Sequence, residues 1–213
     1  MSRVPPVPAL LPPNAAFRFG ESPFHAKGVL YIGTQSFFEA NLQGGFARFL
    51  EGIEQPELRA FISQKFLAGS WYDVMPVPAL IAVEARALGM PLDSYLLHRT
   101  RWQATKDLSG VYGWVLKVAT PAAVAARLPR IFAQMFDFAV IGEQQVEHEH
   151  TTAFLGGIPD PLVPWLTNGI SVYADTAVKL AGARKVEVAI ASEPDGTNAG
   201  LALRKMRIEV AWK

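Results

Sequence analysis

Two stretches near the end of the chain alternate strictly between apolar residues and other residues. The apolar positions are Val186, Val188 and Ile190 in the first stretch and Met206, Ile208, Val210 and Trp212 in the second. A period of two predicts a strand with one buried face. The connector, residues 192–203, contains Pro194-Asp195-Gly196 and Gly200, which predict a loop. We therefore expect a closing antiparallel hairpin that packs on a hydrophobic layer.

Composition narrows the class of protein further. The 213 residues are half hydrophobic, which is enough for one well-formed core. A net charge of +1 provides no field that would attract nucleic acid, and no apolar stretch is long enough to predict a membrane span. The absence of cysteine excludes disulfides and thiolate metal sites. We expect a cytoplasmic protein without a signal peptide, because prolines interrupt the N-terminus.

The N-terminal segment is rich in proline. Five prolines occur in the first thirteen residues, and proline favours extended or polyproline conformations. We predict a proline-rich flexible arm over residues 1–23 and a single domain over residues 24–213. The arm is either a disordered tail or a segment that docks on a partner or a neighbouring subunit, since it carries apolar residues as well.

The periodicity of the remaining chain predicts an α+β fold. Residues 27–32 suit a first strand or a buried turn. Helices are predicted over residues 36–50, 54–66, 77–88, 92–107, 108–118, 122–136 and 166–181, with a kink or restart at Pro129. Strands are predicted over residues 138–141 and 145–154, around Gly142, before the closing hairpin. This order predicts N-terminal helices followed by an antiparallel sheet of about four strands that helices cover on one face.

Several short strings, taken in order, resemble an uncharacterised family of proteins of similar length that is abundant in Myxococcales. The strings are Lys27–Tyr31, Ser70–Tyr72, Leu108–Tyr112, Pro129–Phe136, Leu180–Val188 and Ile208–Trp212. That family is distantly similar to 4-vinyl-reductase-like domains, which share a layout with haem–nitric-oxide-binding domains and with small subunits of vesicle-tethering complexes. The resemblance implies an α+β domain, often dimeric, with an apolar pocket between helices and sheet. It implies no single activity.

Two departures from these relatives bear on cofactors. Sensor members of the 4-vinyl-reductase-like group commonly carry cysteines near the last hairpin, and this chain has none. Haem-binding relatives carry a Tyr-x-Ser-x-Arg motif for the propionates, and no such string occurs here. We therefore expect no haem, although His98 lies on a predicted helix, and no other cofactor except a divalent metal.

The string Val146-Glu147-His148-Glu149-His150 is the most conspicuous polar cluster. On a strand, His148 and His150 would share one face and could supply two ligands to zinc or another divalent ion. A third ligand, for example His25, would have to come from elsewhere in the chain. The alternative is that this string is the polar, solvent-facing part of a strand.

Aromatic residues form the second candidate site. The predicted ligand pocket consists of Trp71, Tyr72, Tyr112, Trp114, Phe132 and Met135. Such rings can line a cavity for a flat or acyl ligand, with hydroxyl and indole groups that orient it. The same residues would serve equally well in a core or a dimer interface.

Taken together, the sequence favours a non-enzymatic regulatory or adaptor module, because no catalytic constellation is present. We expect it to form homo-oligomers or to bind a protein partner, to hold a small apolar ligand, and to bind no nucleic acid. Two alternatives remain open. One is a metal-dependent sensor or enzyme that uses His148 and His150. The other is a structural subunit of a larger assembly, tethered by the proline-rich arm.

Overall fold

The computed structural model describes residues 7–109 and 119–213 of the chain. Their contacts cluster into two compact units, residues 1–99 and residues 100–213, and each unit is described by itself below. The division into a flexible arm and a single domain stays a prediction. The helix predicted over residues 108–118 lies mostly outside the described residues.

The first unit consists of short helices around a two-stranded ribbon. Its elements are β1 (His25–Lys27), α1 (Val29–Asn41), α2 (Gly45–Glu51), α3 (Pro56–Ser63), β2 (Trp71–Asp73), α4 (Val77–Ala87) and the beginning of α5 (Leu92–Ser109). The strands β1 and β2 pair antiparallel, with His25 opposite Asp73. Pro56 lies in the first turn of α3, where proline fits because the missing N–H has no helical partner.

The first helix begins earlier than the sequence predicts. Residues 29–32, predicted as strand or turn, already belong to α1, and the predicted helix over residues 36–50 is interrupted between Asn41 and Gly45. Gly44 and Gly45 have positive φ angles, 89° and 66°, which other residues rarely adopt. Gly28 precedes α1 at a close approach, since a Cβ there would lie 2.3 Å from the carbonyl oxygen of Leu67.

Aromatic side chains fill the core of the first unit. Tyr31 is fully buried and stacks on Phe66, with ring centroids 4.7 Å apart. Phe38 stacks on Phe49 at 3.9 Å. Burial of each such ring stabilises the fold by about 1.5–3 kcal/mol, so this cluster holds the short helices together.

The second unit is a four-stranded sheet with helices. Its elements are α6 (Pro121–Ala125), α7 (Leu128–Ala133), β3 (Val140–Glu147), β4 (His150–Pro159), a 3₁₀ turn (Asp160–Leu162), α8 (Val163–Leu180), β5 (Val186–Asn198) and β6 (Leu201–Trp212). The sheet order is β3-β4-β6-β5, and every neighbouring pair is antiparallel. The helices α6, α7 and α8 all contact the strands. The predicted α+β class is confirmed.

The buried face of the sheet follows the alternation in the sequence. Met206, Ile208, Val210 and Trp212 are all buried, as predicted. On β4, Thr151, Ala153 and Leu155 are buried in the same manner. These residues face each other across the β4–β6 ladder, where Ala153 is opposite Ile208 and Leu155 is opposite Met206.

The closing hairpin is longer than the sequence predicts. The expected loop over residues 192–203 is mostly strand, and the hairpin turns only at Ala199-Gly200, where both residues have positive φ angles. The Pro194-Asp195-Gly196 string produces a bulge, because the β5–β6 register shifts between Pro194 and Thr197. Turn-forming residues therefore mark a bulge here.

The predicted helix over residues 122–136 is two short helices, and the restart lies next to Pro129, in line with the kink or restart predicted there, since Pro129 occupies the first turn of α7. One further prediction needs correction. The predicted strand over residues 145–154 contains a turn, since β3 ends at Glu147 and β4 begins at His150. Glu149 has a φ of 62°, so the chain reverses there and not at Gly142.

Candidate functional site

The two candidate metal ligands do not lie on one strand. His148 is exposed in the two-residue turn between β3 and β4, whereas His150 is the first residue of β4 and pairs with Glu147 and Ala211. The expected arrangement on one strand face is therefore wrong. Among the residues that the structure describes, no group of three or more His, Cys, Asp or Glu side chains could hold a metal ion. A metal site at these histidines stays a prediction.

The predicted aromatic pocket divides between the described parts of the chain and the gap. Trp71 and Tyr72 lie on β2 in the first unit. In the second unit, Phe132 belongs to α7 and Met135 follows that helix. Tyr112 and Trp114 lie outside the described residues. The pocket as a whole stays a prediction.

Within the first unit, Tyr72 has a structural role. Its hydroxyl accepts a hydrogen bond from the backbone N–H of Leu67 at 2.9 Å, and its ring meets Phe66 edge-on at 4.8 Å. Trp71 is different, because 43% of it is exposed and the Lys27 ammonium lies 3.6 Å from the ring centroid. In the second unit, the ring of Phe132 lies 4.7 Å from that of Phe136.

A buried polar cluster in the first unit was not predicted. Glu84 on α4 is buried, and its Oε2 accepts a hydrogen bond from the Tyr95 hydroxyl of α5 at 2.6 Å. Its Oε1 has no hydrogen-bond partner among the described residues. Burial raises the pKa of Glu84, and this rise is opposed first by the Arg99 charge and then by the neighbouring hydroxyl groups of Tyr95 and Thr34.

The sequence did carry a signal for this cluster. Glu84 is the only charged residue in the apolar run from Val77 to Ala85. A lone carboxylate in such a run is expected to be buried and paired. The pKa of Tyr95 is also raised, first by burial and then by the Glu84 charge. The cluster joins α4 to α5 through polar groups inside an apolar unit.

Histidine is a common axial ligand of haem iron, so the positions of the histidines bear on whether the chain could hold a haem. Among its four histidines, His98 lies on the long helix α5, with an exposed side chain and its ring 5.8 Å from that of Phe37. The helix is anchored next to it, because Tyr95 and Leu96 are buried. An exposed imidazole on an anchored helix fits the role of an axial ligand.

The fold of the chain is similar to that of H-NOX domains. One similar structure is an oxygen-binding H-NOX domain related to soluble guanylate cyclases, with a TM-score of 0.57 and 10% identity over 88% of this chain and 95% of that one. Another is an H-NOX protein from S. oneidensis in the Fe(II)NO ligation state, with a TM-score of 0.55 and 10% identity over 88% and 99% of the two chains.

A third similar structure addresses the function of haem distortion in the H-NOX family, with a TM-score of 0.56 and 9% identity over 88% of this chain and 95% of that one. No family model matches the sequence. No curated protein matches it either. At these identities the likeness establishes the H-NOX-like fold, and it supports the haem–nitric-oxide-binding part of the resemblance.

The expectation that the chain uses no cofactor, and in particular no haem, is corrected by this likeness. It depended on a missing Tyr-x-Ser-x-Arg string, which is one local motif. The fold, in contrast, is shared over most of the chain with domains that carry haem iron and its gaseous ligands. The absence of one short propionate-binding motif is therefore too narrow a criterion for excluding haem from a chain with this fold.

None of the helices in the described ranges has both the length and the apolar character needed to cross a membrane.

Proposed function

We propose that this chain is a regulatory domain that binds a small ligand, and that haem is this ligand. The supporting observation is the H-NOX-like fold, which extends over 88% of the chain and 95% of an oxygen-binding H-NOX domain. A shared fold hosts many functions, so the assignment of haem also depends on the residues of this chain.

His98 is the residue that we propose as the axial ligand. Its imidazole is exposed and is carried by α5, and histidine is a common axial ligand of haem iron. The ring of Phe37 lies next to it in an edge-on arrangement, with the ring centroids 5.8 Å apart. Bound haem would supply an iron atom with a coordination position for a gaseous ligand.

The experiment is a titration of the purified chain with hemin, followed by absorption spectroscopy in the ferric and ferrous states. We expect a saturable Soret shift with the spectrum of histidine-ligated iron. The variant His98→Ala should lose this spectrum, whereas His148→Ala, which removes an exposed turn histidine, should keep it. A spectrum that does not change, or one that His98→Ala leaves intact, would contradict the proposal.

The finer parts of the proposal concern assembly and location. We propose that the domain acts in the cytoplasm and passes its ligand state to a protein partner or to another copy of itself. The exposed Trp71 with the Lys27 ammonium above it supports contact with another protein, because partly exposed tryptophan is enriched in binding sites. Size-exclusion chromatography with and without hemin tests whether the ligand state changes assembly.

A further inference from the structure

One edge of the four-stranded sheet has open backbone positions. Among the described residues, β5 pairs with β6 on one side only. Lys185 and Lys213 exchange both of their backbone hydrogen bonds, at 3.2 and 3.0 Å, and the register continues without a shift from Val186 to Pro194. In an antiparallel strand, the backbone N–H and C=O groups of successive residues point alternately to the two sides. The residues whose backbone N–H and C=O groups point away from β6 are therefore Val186, Val188, Ile190 and Ser192.

This open segment has defined ends. Pro194 follows the same alternation, so its missing N–H falls on the open side, and the bulge after it ends the regular strand. At the other end stands the charged Lys185. Natural edge strands are protected from pairing by proline, bulges and charge. Between these two ends, β5 carries Glu187 and Glu193, and residues 188–192 carry no charge, so the middle of the edge has little protection.

We propose that the β5 edge pairs antiparallel with the β5 edge of a second copy of this chain, with the twofold axis at Ala189. In this register Val188 is opposite the partner's Ile190, and Val186 is opposite the partner's Ser192. The residues placed opposite each other then both have backbone N–H and C=O groups that point toward the other copy. Each such pair can exchange two backbone hydrogen bonds. The sheets of the two copies become one continuous sheet.

Charge complementarity selects this register. Lys185 is opposite the partner's Glu193, and the symmetry axis produces this opposite-charge pair twice. Both side chains are mostly exposed, at 69% and 66%. Each has an ion pair within its own chain, Lys185 with Glu187 and Glu193 with Lys205, and it would exchange or share this pair with the partner copy. With the axis at Ile190, Glu187 would be opposite the partner's Glu193, and like charges directly opposite each other destabilise a sheet. With the axis at Val188, the Lys185–Glu193 pairs are lost.

The absence of cysteine makes a crosslinking test unusually clean. The variant Ala189→Cys places two sulfur atoms directly opposite each other at the axis, where Cβ atoms are about 4.5–5.5 Å apart. The matched control is Ala191→Cys, which lies on the same exposed face of β5 but faces the partner's Glu187. Mild oxidation should give a covalent dimer for Ala189→Cys and not for Ala191→Cys. No crosslink at Ala189→Cys, or equal crosslinking of both variants, would overturn the proposal.

A second measurement tests the same register by charge repulsion between the two copies and uses no covalent crosslink. Ala189→Lys brings two ammonium groups together at the axis, whereas Ala191→Lys brings an ammonium group opposite the partner's Glu187. Sedimentation equilibrium should show several-fold weaker dimerisation for the first variant and no weakening for the second. A wild-type chain that stays monomeric at every concentration, or equal weakening by both variants, would refute the pairing. Neither measurement uses a ligand, so its result is separate from that of the hemin titration.

Discussion

The carboxylate of Glu84 combines three properties that rarely occur together in a small core. It is buried, one of its oxygens accepts a hydrogen bond while the other has no partner within residues 7–109 and 119–213, and it lies near the Arg99 charge. An unsatisfied polar atom in a low-dielectric interior costs stability. Burial outweighs the Arg99 charge in its effect on the pKa, so folding favours the protonated form of Glu84 relative to the unfolded chain.

This preference makes the stability of the chain depend on pH. Because the pKa of Glu84 is raised in the folded state, its contribution to stability is fully present below the unfolded pKa and is lost as pH rises through the folded pKa. The variant Glu84→Gln does not titrate, so its free energy of unfolding should rise relative to wild type from acidic to neutral pH. Urea unfolding of both proteins across this range measures the difference.

Glu57→Gln on α3 serves as the control for that experiment, because this glutamate is exposed. It should follow the wild-type pH dependence closely. A difference between wild type and Glu84→Gln that does not change with pH would contradict the assignment of the raised pKa to Glu84.

At the scale of secondary-structure elements, a glycine pair shapes β4. The β4–β6 register shifts between Leu155 and Ile158, around Gly156 and Gly157. The carboxylate of Asp195, from the bulge in β5, accepts a hydrogen bond from the N–H of Gly157 at 2.7 Å. A Cβ on Gly156 would lie 2.8 Å from that same carboxylate. The two bulges therefore approach closely at a position where β4 has no side chain.

We predict that Gly157→Ala destabilises the chain by about 2 kcal/mol. Gly157 has a φ of 74°, and a Cβ there would lie 2.5 Å from the backbone oxygen of Phe138, which cannot move alone. Gly169→Ala in the middle of α8 should instead stabilise by about 0.5–1 kcal/mol, because its Cβ meets open space and alanine favours helix. Denaturant unfolding midpoints of the two variants and of wild type measure these effects. Equal effects of the two substitutions would contradict the prediction.

The sequence predicts those elements whose pattern depends on burial. The alternation in β6 shows which side chains face the core, and the apolar stripe of α4 shows where that helix lies. Turn positions depend instead on positive φ angles, which glycine adopts most easily but which Glu149 and Ala199 also adopt here. Glu149 turns the β3–β4 hairpin, although Gly142 nearby is the more usual turn residue. The Glu84 cluster was missed for a related reason, since its partners come from helices that the sequence does not show to be neighbours.

At the scale of the whole molecule, the N-terminal segment contacts the first unit through residues that precede residue 24, where the predicted domain begins. Among the described residues, the ring contacts and hydrogen bonds that join this segment to the unit begin at Phe17, which lies 6.5 Å from Phe24. Ser22 is buried, and its backbone N–H donates to the Asp73 carboxylate at 3.1 Å. The hydroxyl of Ser22 donates to the same carboxylate at 2.5 Å.

The effect of N-terminal truncation on stability should therefore increase sharply once the deletion includes Ser22. Removal of residues 1–16 should change the free energy of unfolding by less than about 0.5 kcal/mol. Removal of residues 1–23 deletes the Ser22 bonds to a buried carboxylate, and bonds to charged groups are worth about 1.5–3 kcal/mol each. Thermal and urea unfolding of the two truncated chains tests this difference. Equal stability of both would show that the Ser22–Asp73 contact does not hold the segment.

The strand order of the second unit has a consequence for how quickly it forms. The turns at residues 148–149 and 199–200 each close a hairpin between neighbours in sequence, which costs little chain entropy. The β4–β6 ladder instead joins residues on either side of α8 and of the whole of β5. Contacts of long sequence separation slow folding, so we expect the joining of the two hairpins to limit the folding rate.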